Sequence, residues 1–256
     1  MRRNTWTPWK PETGIAVASI PWLDDEDLGF PATRRALSEP NGLLAVGGDL
    51  SLGRLLEAYR HGIFPWYEDD QPILWWSPNP RCVVFPDDFK PARSLRRRLK
   101  KQDFQIRVDT DFPAVINACQ TRDGLEGTWI TAEMKAAYTT LHLAGFAHSL
   151  ECYMDGELAG GLYGIALGRM FFGESMFHYQ TDASKLAFCG LIHLLHGQGF
   201  PLVDCQVPNP HLFSLGAVEI DRREFETRMQ AALAQPAVDW DLLRGELDLS
   251  DSDWIG

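Results

Sequence analysis

The stretch AHSLECYMDGELAGGLYGIALGRMFFGESMF, Ala147 to Phe177, reads as a meander of three strands. Its first reversal falls at Asp155-Gly156, a dipeptide favoured in tight hairpin turns. DASKLAFCGLIHLLHGQG follows, an apolar helix with Asp182 placed as N-cap and Gly197 or Gly199 at its end. It leads directly into PLVDCQV. There, the run Leu202 to Val207 is short, β-branched and bounded by Pro201 and Pro208, which predicts a strand. Meander, buried helix and strand in this order predict an α+β fold, with helices packed on a mostly antiparallel sheet.

Upstream, RCVVF and FQIRVD read as strands and FPAVINACQT as a helix. TWITAEMKAAYTTLHLAG reads as another helix, capped by Thr131. The first 80 residues have a different texture, rich in Pro, Gly and Trp. Within them SLGRLLEAYRHG is a helix with Ser51 as N-cap and Leu52, Leu55, Leu56 and Tyr59 on one face. Pro78 and Pro80 mark a boundary, giving a small N-terminal α/β domain over 1–80 and a larger domain over 81–256. The tail ELDLSDSDWIG is acidic and expected to be loosely held.

Strand alternation sorts the reactive side chains of PLVDCQV. Successive residues point to opposite faces, so Cys205 shares a face with Val203 and Val207 and behaves as a small buried hydrophobe. Asp204 and Gln206 then share the other face, where two polar groups need partners. Glu174, in GESMF, is placed at the end of the Met170-Phe171-Phe172 strand. It is either a solvated turn acid or the third member of a polar floor of two carboxylates and an amide. Such a floor suits an amine-bearing or cationic substrate. A Cys205–His211 nucleophilic pair is disfavoured by the facing argument. Cys189, His193 and His196 lie at i, i+4 and i+7, yet Leu186, Leu191, Ile192, Leu194 and Leu195 around them favour core side chains over a metal face, and no second ligand cluster is present.

The 256-residue chain carries a net charge of -11, which argues against general nucleic-acid binding. Its distribution qualifies that. RSLRRRLKK, Arg93 to Lys101, holds six cations and no acid. As a helix it puts Leu95 and Leu99 on one face and leaves the cations to a phosphate-binding stripe or a solvated surface. Five scattered cysteines without a CxxC pair fit reduced thiols in a cytosolic protein. The N-terminus lacks the apolar core of a signal peptide. No run reaches the roughly 20 apolar residues that span a bilayer.

PNGLLAVGGDLS, AYRHGIFPW, ILWWSPNPR, EGTWIT, GGLYG, FFGESMF, ASK and DCQVPNPHLFSLGA stand in the order found in the bacterial leucyl/phenylalanyl-tRNA–protein transferase family. The chain resembles that family from about residue 30 to about residue 230. The resemblance implies a small N-terminal domain joined to an acetyltransferase-like (GNAT-type) domain, in the cytoplasm. It implies transfer of Leu, Phe or, less well, Met from aminoacyl-tRNA to the α-amino group of proteins beginning with Arg or Lys. That reaction marks the acceptor for N-degron proteolysis and uses neither metal nor cofactor. It implies catalytic roles for Asp204 and Gln206, with Glu174 and Ser175 of GES beside them. Tyr59, Trp66, Trp129 and Tyr138 match the aromatic residues near the aminoacyl-adenosine end, and Leu162, Phe171 and Met176 the apolar side-chain pocket. Arg93, Arg96, Arg97, Arg98, Lys100 and Lys101 match the acceptor-stem cluster. The sequence departs from the family at Leu162, where Met is usual, and at His178, where a small Ser can stand. An acyl-CoA N-acetyltransferase would need a glycine-bearing pyrophosphate loop, which GESMFHYQTDASK lacks.

Overall fold

The computed structural model describes residues 20–24, 26–121 and 130–252. A small sheet of order β1-β2-β4-β3 is built from β1 (Trp22–Leu23), β2 (Leu43–Gly47), β3 (Phe64–Pro65) and β4 (Leu74–Trp76). Helix α1 (Leu52–Arg60) starts where expected, the Ser51 hydroxyl accepting from the Arg54 amide. Arg54 is itself buried. Its guanidinium donates to the carbonyls of Asp24 and Asp27 and to the Asp49 carboxylate, which ties the segment before β2 to α1.

The rest of the chain runs β5 (Arg81–Val84), α2 (Arg93–Leu99), β6 (Gln105–Val108), α3 (Phe112–Gln120), α4 (Ala132–Leu143), β7 (Ala147–Met154), β8 (Glu157–Leu167), β9 (Met170–His178), α5 (Ala183–Gly197), β10 (Leu202–Gln206), α6 (Pro210–Ser214), β11 (Val218–Ile220), α7 (Arg222–Leu233) and β12 (Gly245–Leu247). Its strands form one sheet of order β11-β5-β10-β9-β8-β7-β6-β12. Every neighbouring pair is antiparallel except β9 and β10. This is the α+β arrangement, with helices packed on a mostly antiparallel sheet, expected from the sequence. The meander turns at Asp155-Gly156, both with positive φ as a two-residue hairpin requires.

Two apolar cores flank the large sheet. Ile165, Phe172 and Tyr163 face the first, with α3, α4, α7, Tyr59 of α1 and Trp75 of the small sheet. Leu162, Phe171 and Val203 face the second, under α2 and α5. Helix α5 lies close on β8: a Cβ at Gly160 would stand 2.7 Å from the Ala183 Cβ.

Several expectations are corrected. Strand β9 continues through His178, so Glu174 lies inside the strand. Asp182 occupies the N-cap position of α5 in a left-handed conformation and makes no cap hydrogen bond; its carboxylate accepts from Lys185 Nζ instead. His193 and His196 are not core side chains, since they sit beside Asp251 and Asp87 at the surface end of α5, whereas Cys189 is fully buried. The described part of the acidic tail is docked: β12 adds to the edge of β6, and Leu249 enters the second core beside Trp240. Alternation in the sequence cannot reveal such edge pairing, because the strand is only three residues long. No helix among the described residues is long and apolar enough to cross a membrane.

Candidate active site

Strands β9 and β10 pair in parallel from Leu202↔Met170 to Asp204↔Phe172, and there the ladder ends. Each strand carries an irregularity just beyond that point. On β9 the register against β8 jumps from Gly164↔Gly173 to Tyr163↔Ser175, leaving Glu174 as the extra, unpaired residue. On β10 it jumps from Asp204↔Val83 to Gln206↔Cys82, leaving Cys205 extra. Bulges of this kind re-aim side chains and cluster beside active sites. Gln206 adopts φ 61, a left-handed value unusual for a residue with a side chain.

The outcome is a polar floor on the face that meets α1 and α4. Glu174 Oε1 accepts from the Tyr59 hydroxyl at 2.7 Å and from Gln206 Nε2 at 3.1 Å, and Oε2 accepts from the Tyr138 hydroxyl at 2.8 Å. The two tyrosine oxygens are themselves 2.6 Å apart. Three close oxygen contacts need three protons, and two hydroxyls supply only two. Glu174 supplies the third whenever its carboxyl is protonated. Its carboxyl is pushed up to about 7, chiefly by burial, with the Asp204 charge adding to the rise and the Tyr59, Tyr138 and Gln206 hydrogen bonds opposing it. Burial, followed by the Glu174 charge, raises the hydroxyls of Tyr59, Tyr138 and Tyr163.

Asp204 is fully buried and doubly bound by Arg81: Nε donates to Oδ1 at 2.8 Å and Nη2 to Oδ2 at 2.6 Å. Oδ1 also accepts from the Gln206 backbone N–H at 2.9 Å. Asp204 holds the backbone, and Glu174 holds the amide.

Asp204 and Gln206 do share a face, and Cys205 points the other way, as alternation requires. Its thiol lies against Cys82, and that contact, more than burial, raises its pKa. Val207, in contrast, packs with the first core, because the bulge turns the chain over. Trp66 is half-buried and tilted against Trp76 at 6.1 Å between ring centroids. Ser175 is half-buried opposite Tyr163. Leu162, Phe171 and Met176 gather on the opposite face of the sheet from Glu174, with Leu162 and Met176 as direct cross-strand partners. Gly173 stands between the two faces, and a Cβ there would meet only the Asp204 carbonyl at 3.5 Å. Trp129 lies outside the described residues.

On α2, Leu95 and Leu99 are buried while Arg93, Arg96, Arg97, Lys100 and Lys101 are exposed. Arg98 differs. It is paired with Asp103, donates to the Met154 sulfur at 3.5 Å and lies over the Phe104 ring, so it anchors the helix end. Sequence reasoning missed Arg81. Its signal was a cation opening the otherwise apolar run RCVV, a strand buried along its whole length.

Where the one parallel pair of a mostly antiparallel sheet ends, a buried carboxylate and an amide stand together, an arrangement of the kind found at enzyme active sites. A family model described as Leucyl/phenylalanyl-tRNA protein transferase matches residues 83–230, and the model for the N-terminal domain of the same family matches residues 48–79. The leucyl/phenylalanyl-tRNA–protein transferase of Pseudomonas entomophila is 54% identical over 219 residues, covering 85% of this chain and 97% of its own. That of Chromobacterium violaceum is 54% identical over 225 residues, covering 87% and 96%. Among solved structures, FemX aligns over 66% of each chain at 11% identity with a TM-score of 0.43. The chain belongs to the leucyl/phenylalanyl-tRNA protein transferase family, and is an aminoacyltransferase moving an aminoacyl group from tRNA to protein.

Proposed function

We propose that this chain transfers Leu, Phe and, less well, Met from the 3′ end of tRNA to the α-amino group of proteins that begin with Arg or Lys, forming a peptide bond and marking the acceptor for N-degron proteolysis. The observation that supports this best is the Glu174–Gln206 floor. An aminoacyl ester is already activated, so the protein's main task is to bring a neutral amine to its carbonyl. An α-amino group with pKa about 7.8 is already deprotonated in roughly one molecule in seven at pH 7, so a strong base is unnecessary. Gln206 gives its NH2 to Glu174, so its Oε1 is the acceptor left to align the incoming amine.

As the C–N bond forms the amine nitrogen becomes positive, and its proton must leave while the ribose oxygen departs. Asp204 is poorly placed to take it, because Arg81 and the Gln206 N–H occupy its carboxylate and it is fully buried. In this reading Glu174 accepts the proton, which completes the three-proton ring with Tyr59 and Tyr138, and a proton is then returned to the ribose oxygen, so that the ester C–O bond breaks to a free hydroxyl and Glu174 is ionised again. Leu162, Phe171 and Met176 receive the aminoacyl side chain, with Ser175 beside the floor, while Trp66 borders the adenosine end. The exposed cations of α2 hold the acceptor stem. The division of the chain near residue 80 belongs to this reading, the smaller part supplying Tyr59 and Trp66. The test is to incubate the protein with radiolabelled leucyl-tRNA and a peptide beginning with Arg, alongside its N-acetylated form. Label is expected in the free-amine peptide only; label in both, or in neither, sinks the proposal.

A further inference from the structure

The structure assigns Arg81 as a positioning residue for the transfer reaction: through the buried Asp204 carboxylate it fixes the left-handed turn at Gln206 that presents the Gln206 amide to Glu174. The inference rests on the proposed role of Gln206, and each link is geometric. The Arg81 fork grips both Asp204 oxygens, at 2.8 and 2.6 Å. Asp204 Oδ1 in turn accepts the Gln206 backbone N–H at 2.9 Å. That hydrogen bond spans the Cys205 bulge, where φ of Gln206 is 61 and the β10 register slips. Such a conformation persists only when its surroundings over-determine it.

The guanidinium is itself held. Its Cζ lies 5.0 Å from the Phe64 ring centroid and 4.6 Å from that of Phe225, so the small sheet and α7 clamp it from separate directions. Arg81 and Asp204 are 1% and 0% exposed, so neither is placed to touch a substrate. A lysine would keep the charge and lose the planar two-point grip. A displacement of about 1 Å at a positioning group can cost about 10²-fold in rate.

The test is a double-mutant cycle on transfer from leucyl-tRNA to a peptide beginning with Arg, reading kcat and KM separately. Arg81→Lys is expected to lower kcat about 10–100-fold, with KM for both substrates little changed. In a Gln206→Ala background, Arg81→Lys should have almost no further effect, because the group it positions is already gone. Multiplicative losses, or a loss confined to KM, overturn the assignment. Should Arg81→Lys fail to fold, Phe225→Leu loosens the same clamp: a kcat loss of a few-fold that vanishes in the Gln206→Ala background upholds the assignment, and one that persists overturns it. If Gln206→Ala alone leaves kcat intact, the reading of the floor has failed rather than this extension of it.

Discussion

Burial, with the Asp204 charge, lifts the Glu174 carboxyl towards neutrality. With its carboxyl pushed up to about 7 from an ordinary 4.5, the folded protein binds more protons than the unfolded chain between those values. The stabilising effect of the proton is complete below about 4.5 and lost as pH rises through 7, a change on the order of 3 kcal/mol. Glu174→Gln removes the titration while its amide can still join the hydroxyl ring. Wild type should therefore lose thermal stability between pH 5 and pH 8 relative to Glu174→Gln, measured by melting in matched buffers. The transfer rate should rise through about 7 in wild type, and Glu174→Gln should be slower and keep only the rise near about 7.8 that the acceptor amine gives both proteins. A second residue gives the control. Cys205 points away from the floor with its thiol held protonated against Cys82, so Cys205→Ala should retain most activity. Rapid inactivation by a thiol alkylator modifying Cys205 alone would contradict that placement.

At the scale of elements, α2 leaves five cations exposed and ties down Arg98. Neutralising Arg96, Arg97 and Lys100 together should weaken tRNA binding and flatten its salt dependence, since fewer counterions are displaced. Transfer from a minimal aminoacyl-adenosine donor should be spared; equal losses with both donors would make the stripe structural. Arg98→Ala should instead lower stability, as it removes the tie to Asp103 and Met154. Much of this was legible in the sequence. Periodicity placed the meander, α4, α5 and β10, and alternation put Asp204 and Gln206 on one face. The bulges were not legible, because a single extra residue leaves no periodic trace. They are what take Glu174 out of a regular strand and turn Val207 over. Nor was the Arg81–Asp204 pair, which joins residues 123 positions apart and depends on β5 lying beside β10.

At the scale of the molecule, the site exists because two sheets share one core. Tyr59 from α1 and Tyr138 from α4 reach Glu174 on β9, and Phe64 of the small sheet and Phe225 of α7 enclose Arg81. Loosening that core should cost activity before it costs secondary structure. The docked tail contributes to the other side of the sheet. Truncation before Gly245 exposes the β6 edge and removes buried Leu249, so melting should fall by several degrees, a cost of about 2 kcal/mol or more. An unchanged melting temperature would mean that the tail is as loose as its composition implied. The central claim, that the Glu174–Gln206 floor aligns the acceptor amine, is tested most directly by single-turnover transfer from leucyl-tRNA to a peptide beginning with Arg, comparing wild type with Gln206→Ala at matched tRNA occupancy. The account predicts a rate about 10²-fold lower or more in Gln206→Ala, with tRNA affinity unchanged; equal rates in the two proteins would contradict it.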